Sequence, residues 1–513
     1  MKRGFLVLFA GGIFGKIVAL LREIVFAAAF GTGATATGFR VAQTASIVPA
    51  NLVSGDLISA AFAPSYAKLS ASDARRANSL LVAYLLWVTS VLGLVSLVVF
   101  VTRADLVAII VPGALPTVQA TASSLLAVLA WVIPVYGIST ITSYALSATG
   151  AFAQNAIRPM VQSVGLLVGT VMAVWLGSMS WLAWGFLAAW VLYAARGLFL
   201  LRGRLAFTGG PAVREGGLMV LQGIRGIAPL IVLAVALQGS IVLERVFASY
   251  GADGLVASID YARTISDSVM STIALPLGIL GLTQLPQVRT SESQRILTRM
   301  TEFVCVTVIP ISMVLMLAAR PAVDLLYARG RFDVQAASLT SAVLAGLSAG
   351  LTFQVLSYTM ARAITGRGNT RPVLTWSLVA IVAQCLVQGI GVPLVGGVAV
   401  GVGVSVYGAV LTFGLSRALG LGRATLAVLV RWLPTMVAGF ASVAAGLSWG
   451  AGASVVLLVF AINVASSRAT RKLIRESLVS LRTGWRARRL ATSSETDPKV
   501  PAIDRPAKDA GKS

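Results

Sequence analysis

The chain has 513 residues, of which 57% are hydrophobic and 12% charged, and its mean hydropathy is +0.87. A soluble domain carries about 25% charged residues, so this composition is that of a polytopic membrane protein, and length counts spans rather than soluble domains. There is no histidine, and the two cysteines, Cys305 and Cys385, each lie in an apolar stretch; imidazole catalysis, a disulfide framework and the usual zinc or haem sites are excluded, and no cofactor is expected.

Segments of about 20 apolar residues fall first at 5–30, 37–65, 79–102, 117–147, 156–177 and 181–201. Eight more follow at 222–248, 254–287, 297–318, 334–364, 372–394, 396–416, 426–448 and 451–467. The fourteen predict an all-α polytopic membrane protein. Met1-Lys2-Arg3 imitates the start of a signal peptide, but Lys16, Arg22 and Glu23 interrupt the region that would have to be apolar, so the first segment reads as a span. The second and eighth segments are rich in Ser, Thr, Gln and charge and are expected to face protein or water.

The net charge of +23 would suggest nucleic acid in a soluble protein. Here it follows topology instead. Alternate loops carry Lys68, Arg75 and Arg76; Arg202, Arg204 and Arg214; Arg289 and Arg295; Arg367 and Arg371; and Arg417 and Arg423. The other loops hold Arg103, Arg245, and the group Arg320, Arg329 and Arg331. This asymmetry predicts both termini in the cytoplasm, and no nucleic-acid partner is expected. The polar connection at 203–221 divides an N-terminal lobe, residues 1–202, from a C-terminal lobe, residues 222–416. Spans 13 and 14 occupy 417–467, and 468–513 is a basic and then polar tail, read as an amphipathic surface helix followed by disorder.

No phosphate-binding glycine loop, Ser/His/Asp set or two-metal carboxylate cluster is present. What the composition leaves is a set of charges inside spans, each costing roughly 2.5–3.5 kcal/mol on insertion scales. They are Lys16, Arg22, Glu23, Arg40, Asp56, Glu244, Arg245, Asp260, Arg263, Asp267 and Arg362. Asp260, Arg263 and Asp267 are spaced i, i+3, i+7 and share one helix face. That face is either the wall of a polar cavity or a buried ion-pair network that fixes packing. Cations outnumber anions, and arginine suits phosphate or diphosphate because its planar fork binds two oxygens and stays charged. The residues alone reach a secondary transporter for an anionic substrate, with an apolar groove required if that substrate carries a lipid tail.

Four stretches carry a resemblance. KIVALLREIVFAAAFG (16–31) is similar to the pattern SRxLGxxRDxxxAxxFG, and SAAFAPSYAKL (59–69) to a segment beginning SxAFVP. LLYARGRFD (325–333) resembles LLFxRGxF, and ARAITGRGNTRPV (361–373) resembles ARAFYAxGDTRTPV. In order and spacing these resemble the MurJ (MviN) family of lipid II flippases, within the multidrug/oligosaccharidyl-lipid/polysaccharide exporter superfamily. The resemblance implies twelve helices in two lobes around a central cationic cavity, with two C-terminal helices bordering a groove for a lipid tail. It further implies translocation of a polyprenyl-diphosphate-linked glycan by alternating access in the bacterial inner membrane, by a monomer that is not an enzyme. Membrane lipids and cell-wall synthesis proteins are the further partners it implies.

By the same resemblance Arg22, Glu23, Lys16 and Arg263 are substrate-binding, with Arg40 and Asp56 as local additions to the cavity. The family's paired span-2 arginines fall at Ala50 and Asn51, its acidic residue at Gly55 beside Asp56, and an aspartate of the first loop at Thr37. Glu244 matches the acid of a cation site described for some members, and Gln384 and Gln388 stand where those members have Asn or Asp. These three are the candidate coupling-ion residues. Three readings stay open: a lipid II flippase, a flippase for another lipid-linked polysaccharide unit, or a transport-inactive scaffold for cell-wall enzymes.

Overall fold

The structure is a computed structural model and describes residues 2–205, 215–222, 228–283, 290–466 and 471. Residues 206–214 of the 203–221 connection and nearly all of the tail from 468, with its expected surface helix, lie outside the described residues. Every described element is a helix. In the N-terminal half these are α1 (Lys2–Phe30), α2 (Ala34–Ser54), α3 (Asp56–Ser72), α4 (Ala74–Val101), α5 (Arg103–Ile110), α6 (Pro116–Leu129), α7 (Val132–Ala148), α8 (Ala153–Trp175) and α9 (Ser180–Leu201), before a short 3₁₀ turn. The C-terminal half contains α10 (Ala228–Ser249), α11 (Leu255–Thr283), α12 (Thr290–Leu317), α13 (Ala319–Tyr327), α14 (Val334–Ala349), α15 (Leu351–Gly366), α16 (Arg371–Val395), α17 (Gly397–Ala418), α18 (Gly422–Ala444) and α19 (Trp449–Ser466).

Over the described residues each of the fourteen predicted segments is a helix or a pair of successive helices. Among the described residues nine helices are long and apolar enough to cross a membrane, or eleven spans if α6–α7, bent by 48°, and α14–α15, bent by 52°, each count as one. Helix α1, the α2–α3 pair and α11 fall outside that count. They carry most of the intramembrane charges, and they can lie at membrane depth only because they pack against protein. Helix α2 touches α6 and α7 on its own side and α10 and α11 on the other, so it sits between the two halves. The C-terminal pair packs onto α12 through Met313, Val428, Trp432, Met436 and Val456, with the Trp432 and Phe460 rings stacked at 5.5 Å.

The two halves are locked together at one end of the bundle. There the α1–α2 turn meets the α13–α14 loop, and two glycines make the contact. Gly31 (φ +56°) and Gly330 (φ +62°) both hold a left-handed backbone. A Cβ on Gly31 would lie 2.4 Å from the Arg331 carbonyl oxygen, and one on Gly330 would lie 2.3 Å from that of Ala28. Each glycine therefore lets the other strand of backbone approach. The Arg331 N–H donates to the Ala28 carbonyl at 2.8 Å, and the Tyr261 hydroxyl to that of Gly31 at 2.7 Å. Beneath this seam Phe26, Phe39, Tyr261, Tyr327 and Phe332 form an aromatic cluster with contributions from both halves, at centroid separations of 5.3–6.4 Å.

Gly330→Ala tests this seam. The left-handed backbone alone should cost about 1–2 kcal/mol, and the clash adds to it. We expect a lowered melting temperature in detergent together with increased reactivity of a cysteine placed at Thr32. Unchanged values for both would mean that the loop relaxes freely and that the seam is not a lock.

Candidate functional site

The charges of α1, α2, α10 and α11 converge just below the locked end. Helices α1 and α2 run antiparallel from the turn at 31–33, which brings Arg40 back alongside Glu23. Glu23 is buried and accepts from both Arg22 and Arg40, one guanidinium on each oxygen. Arg40 is buried as well. Its guanidinium stands over the Phe26 ring at 4.9 Å, and its Nε lies 3.7 Å from Asp260 across the junction with α11. Arg245 of α10 donates to the other Asp260 oxygen at 2.6 Å and to the Val256 carbonyl at 2.8 Å. Arg263 reaches Glu244 of α10 at 2.6 Å. Lower on α1, Lys16 donates to the Ser271 hydroxyl of α11, within electrostatic reach of Asp267.

The expected stripe on α11 is therefore real, and it is split between partners. Asp260 faces α2 and α10, Arg263 faces α10, and Asp267, with no ion pair among the described residues, stands within electrostatic reach of Arg263 first and of Lys16 last. Among these groups five cations (Lys16, Arg22, Arg40, Arg245, Arg263) face four carboxylates (Glu23, Glu244, Asp260, Asp267), leaving one net positive charge. The cavity-wall and ion-pair readings merge here: the charges line the junction between the halves and also pair across it. On its arginines such an arrangement can hold an anion only by competing with a carboxylate for a guanidinium; Lys16, bonded to a hydroxyl, is the exception.

The other predicted residues are distributed differently. Asp56 begins α3, and its side chain lies outside the described residues. Gln384 and Gln388 are buried on α16, and the Gln388 amide donates to the Val400 carbonyl at 3.1 Å, tying α16 to α17. Among the described residues no hydrogen bond joins either glutamine to Glu244, whose carboxylate Arg263 engages.

Sequence reasoning passed over Arg158 and Arg196. Each lies near one end of an apolar segment and reads as an ordinary flanking charge, but α8 begins at Ala153, which draws Arg158 inward. Arg158 donates to the Tyr136 hydroxyl at 2.5 Å, and Tyr136 in turn donates to Asn51. The guanidinium stands 4.9 Å from the Tyr136 ring and 5.3 Å from that of Trp190. Arg196 donates to Gln154. Nothing in the sequence separates Arg158, the third residue of its predicted segment, from a snorkelling charge.

A family model described as lipid II flippase MurJ matches residues 26–463. The chain belongs to the MurJ family. Relatives named probable lipid II flippase MurJ include one from Rhizobium tropici, 25% identical over 394 residues that cover 71% of each chain. Another, from a Synechocystis strain, is 24% identical over 364 residues, covering 66% of this chain and 67% of the relative. Among solved structures, a lipid II flippase MurJ in an inward closed conformation superposes with a TM-score of 0.76 at 17% identity, covering 91% of this chain and all of the other. An inward-facing multidrug resistance MATE family transporter of the MOP superfamily gives 0.63 at 14% identity, covering 80% and 95%. This MurJ-family chain thus has the fold shared by MurJ and MATE transporters, and it is a membrane transporter, not an enzyme.

Because Glu23 serves two guanidiniums, Glu23→Ala should destabilise more than Arg22→Ala. Breaking a buried pair costs about 3–5 kcal/mol, and here two cations are left. The double change Arg22→Ala with Glu23→Ala should recover only part of the loss, since Arg40 then keeps a single acid, Asp260, at 3.7 Å. A double-mutant cycle on melting temperatures in detergent measures this. Full recovery would show that Arg40 does not depend on Glu23.

Proposed function

We propose that the chain is a flippase that moves a polyprenyl-diphosphate-linked cell-wall precursor of the lipid II type from the inner to the outer leaflet by alternating access. The observation that carries this reading is the charge-lined junction between the halves, which holds one more cation than carboxylates at membrane depth. Family membership and the names of the relatives support lipid II as the substrate. The positive-inside distribution puts both termini in the cytoplasm of a bacterial inner-membrane protein and makes the locked end the outer one.

On this reading residues 1–202 and 222–416 are two lobes that rock against each other. With the outer end locked, the head group is taken up from the cytoplasmic side on Lys16, Arg22 and Arg263, and the prenyl tail stays in lipid near α18 and α19. Those two helices present Val430, Leu433, Val437, Leu457, Leu458 and Ile462 outward, as a tail groove requires. A diphosphate arriving at Arg22 competes with Glu23, and the released carboxylate shifts its weight to Arg40. That weakens the hold of Arg40 on Asp260, which crosses the junction. Substrate and lock are thereby coupled through one carboxylate. The membrane potential favours outward movement of a bound anion by about 2.3 kcal/mol per charge per 100 mV.

Complementation of cells depleted of their own lipid II flippase tests the reading, with growth and membrane insertion measured separately. Wild-type protein should restore growth. Failure by a well-inserted protein would transfer the function to another lipid-linked glycan or to a scaffold. In the same assay Arg22→Lys should fail nearly as completely as Arg22→Ala, because charge survives and the bidentate fork does not. A fully active Arg22→Lys protein would remove Arg22 from diphosphate binding.

A further inference from the structure

Cations of the junction are answered by acids: Arg22 and Arg40 by Glu23, Arg40 and Arg245 by Asp260, and Arg263 by Glu244. Arg158 and Arg196 of the N-terminal half are different. Among the described residues neither has a carboxylate within salt-bridge distance, and each is held by neutral groups. Both lie within electrostatic reach of Tyr193, so two uncompensated positive charges share one region at membrane depth. Two aromatic rings and a hydroxyl steady the Arg158 guanidinium without neutralising it. The Trp190 indole beneath it is 2% exposed, and its N–H has no partner among the described residues. A buried donor without a partner and an unanswered cation in one place call for an oxyanion.

The depth of this cluster can be read from the α1–α8 contact. A Cβ on Gly15 would meet the Pro159 side chain at 3.1 Å, so Arg158 is level with Lys16, the residue that reaches across to Ser271 of α11. Arg22 lies six residues further toward the locked end, about 9 Å at the helical rise. Asn51, the other group bound to the Tyr136 hydroxyl, carries no charge, so α8 supplies the cation that α2 lacks at this level.

We propose that Arg158, held by Tyr136 and Trp190 beside Asn51, is a phosphate-binding residue that receives the diphosphate of a lipid-linked substrate on the cytoplasmic half of its path, before that group reaches Arg22. The proposal rests on the flippase reading and deepens it. It divides the path into a lower site, whose cations are unopposed, and an upper site, where substrate must displace a carboxylate. Capture below needs no ion pair to break. Transfer upward begins to loosen the lock.

The full chain, purified in detergent, is titrated calorimetrically with farnesyl diphosphate, farnesyl monophosphate and inorganic diphosphate. We expect wild type to prefer farnesyl diphosphate and Arg158→Gln to bind it roughly 10- to 100-fold more weakly. Arg158→Lys should lose a smaller but clear part of the affinity, since the fork is gone. Arg320→Gln, at a half-exposed pair with Asp324, serves as the control and should bind as wild type. An Arg158→Gln protein with unaltered melting temperature and wild-type affinity would overturn the proposal and reduce Arg158 to packing. If Arg158→Gln does not fold, Arg158→Lys decides, because it keeps the charge against the rings: undiminished affinity there overturns the proposal too. A wild-type protein that binds none of the three probes would sink both this inference and the flippase reading. Binding that depends on Arg158 in a protein that fails complementation would leave the site standing and remove only the lipid II assignment.

Discussion

One carboxylate, Glu23, sits between two guanidiniums in a place water does not reach. A buried acid of this kind holds its charge only while its partners stay, and each partner in turn needs an acid. The chain of dependence runs from Glu23 through Arg40 to Asp260 and on to Arg245. It passes from α1 and α2 to α10 and α11, and so across the junction of the two halves. Desolvation makes every link costly to form and costlier to break one-sidedly. A network of this sort contributes little net stability over an apolar core. Its effect is to make the relative position of the halves depend on charge.

The rest of the architecture serves that arrangement. Segments poor in apolar residues are central, and segments rich in them surround the centre. The aromatic cluster beneath the Gly31–Gly330 seam excludes water from the locked end of the network, which strengthens the ion pairs. Below the network the structure becomes more open in charge. Lys16 meets a hydroxyl, and Arg158 and Arg196 meet amide and phenol groups. From the locked end downward, cations pass from paired with carboxylates to held by neutral groups.

Much of this was legible without coordinates. Over the described residues all fourteen apolar segments reappear as helices or pairs of successive helices, because in lipid a backbone must satisfy its own hydrogen bonds and the helix is the local way to do so. The stripe Asp260–Arg263–Asp267 was legible for a similar reason: helical periodicity fixes which residues share a face. Arg22, Glu23, Arg40 and Glu244 stood out because charge in an apolar segment is expensive. Arg158 did not stand out, since near a segment end the same charge is cheap. Only the start of α8 at Ala153 and the approach of Pro159 to Gly15 reveal its depth.

Composition and periodicity determined that this chain is helical, that it lies in a membrane, and which few residues carry unaffordable charges there. These properties depend on neighbours within a turn or two of helix and on the cost of moving a side chain out of water. Tertiary structure decided who answers whom. Arg40 turns to Glu23 and to Asp260, some 17 and 220 residues away; Arg263 turns to Glu244, and Arg158 to no acid among the described residues. Pairing of that kind is set by which helices pack together and at what depth, and helix packing is decided by shape over the whole bundle. A sequence states each charge; only the packed bundle states its partner.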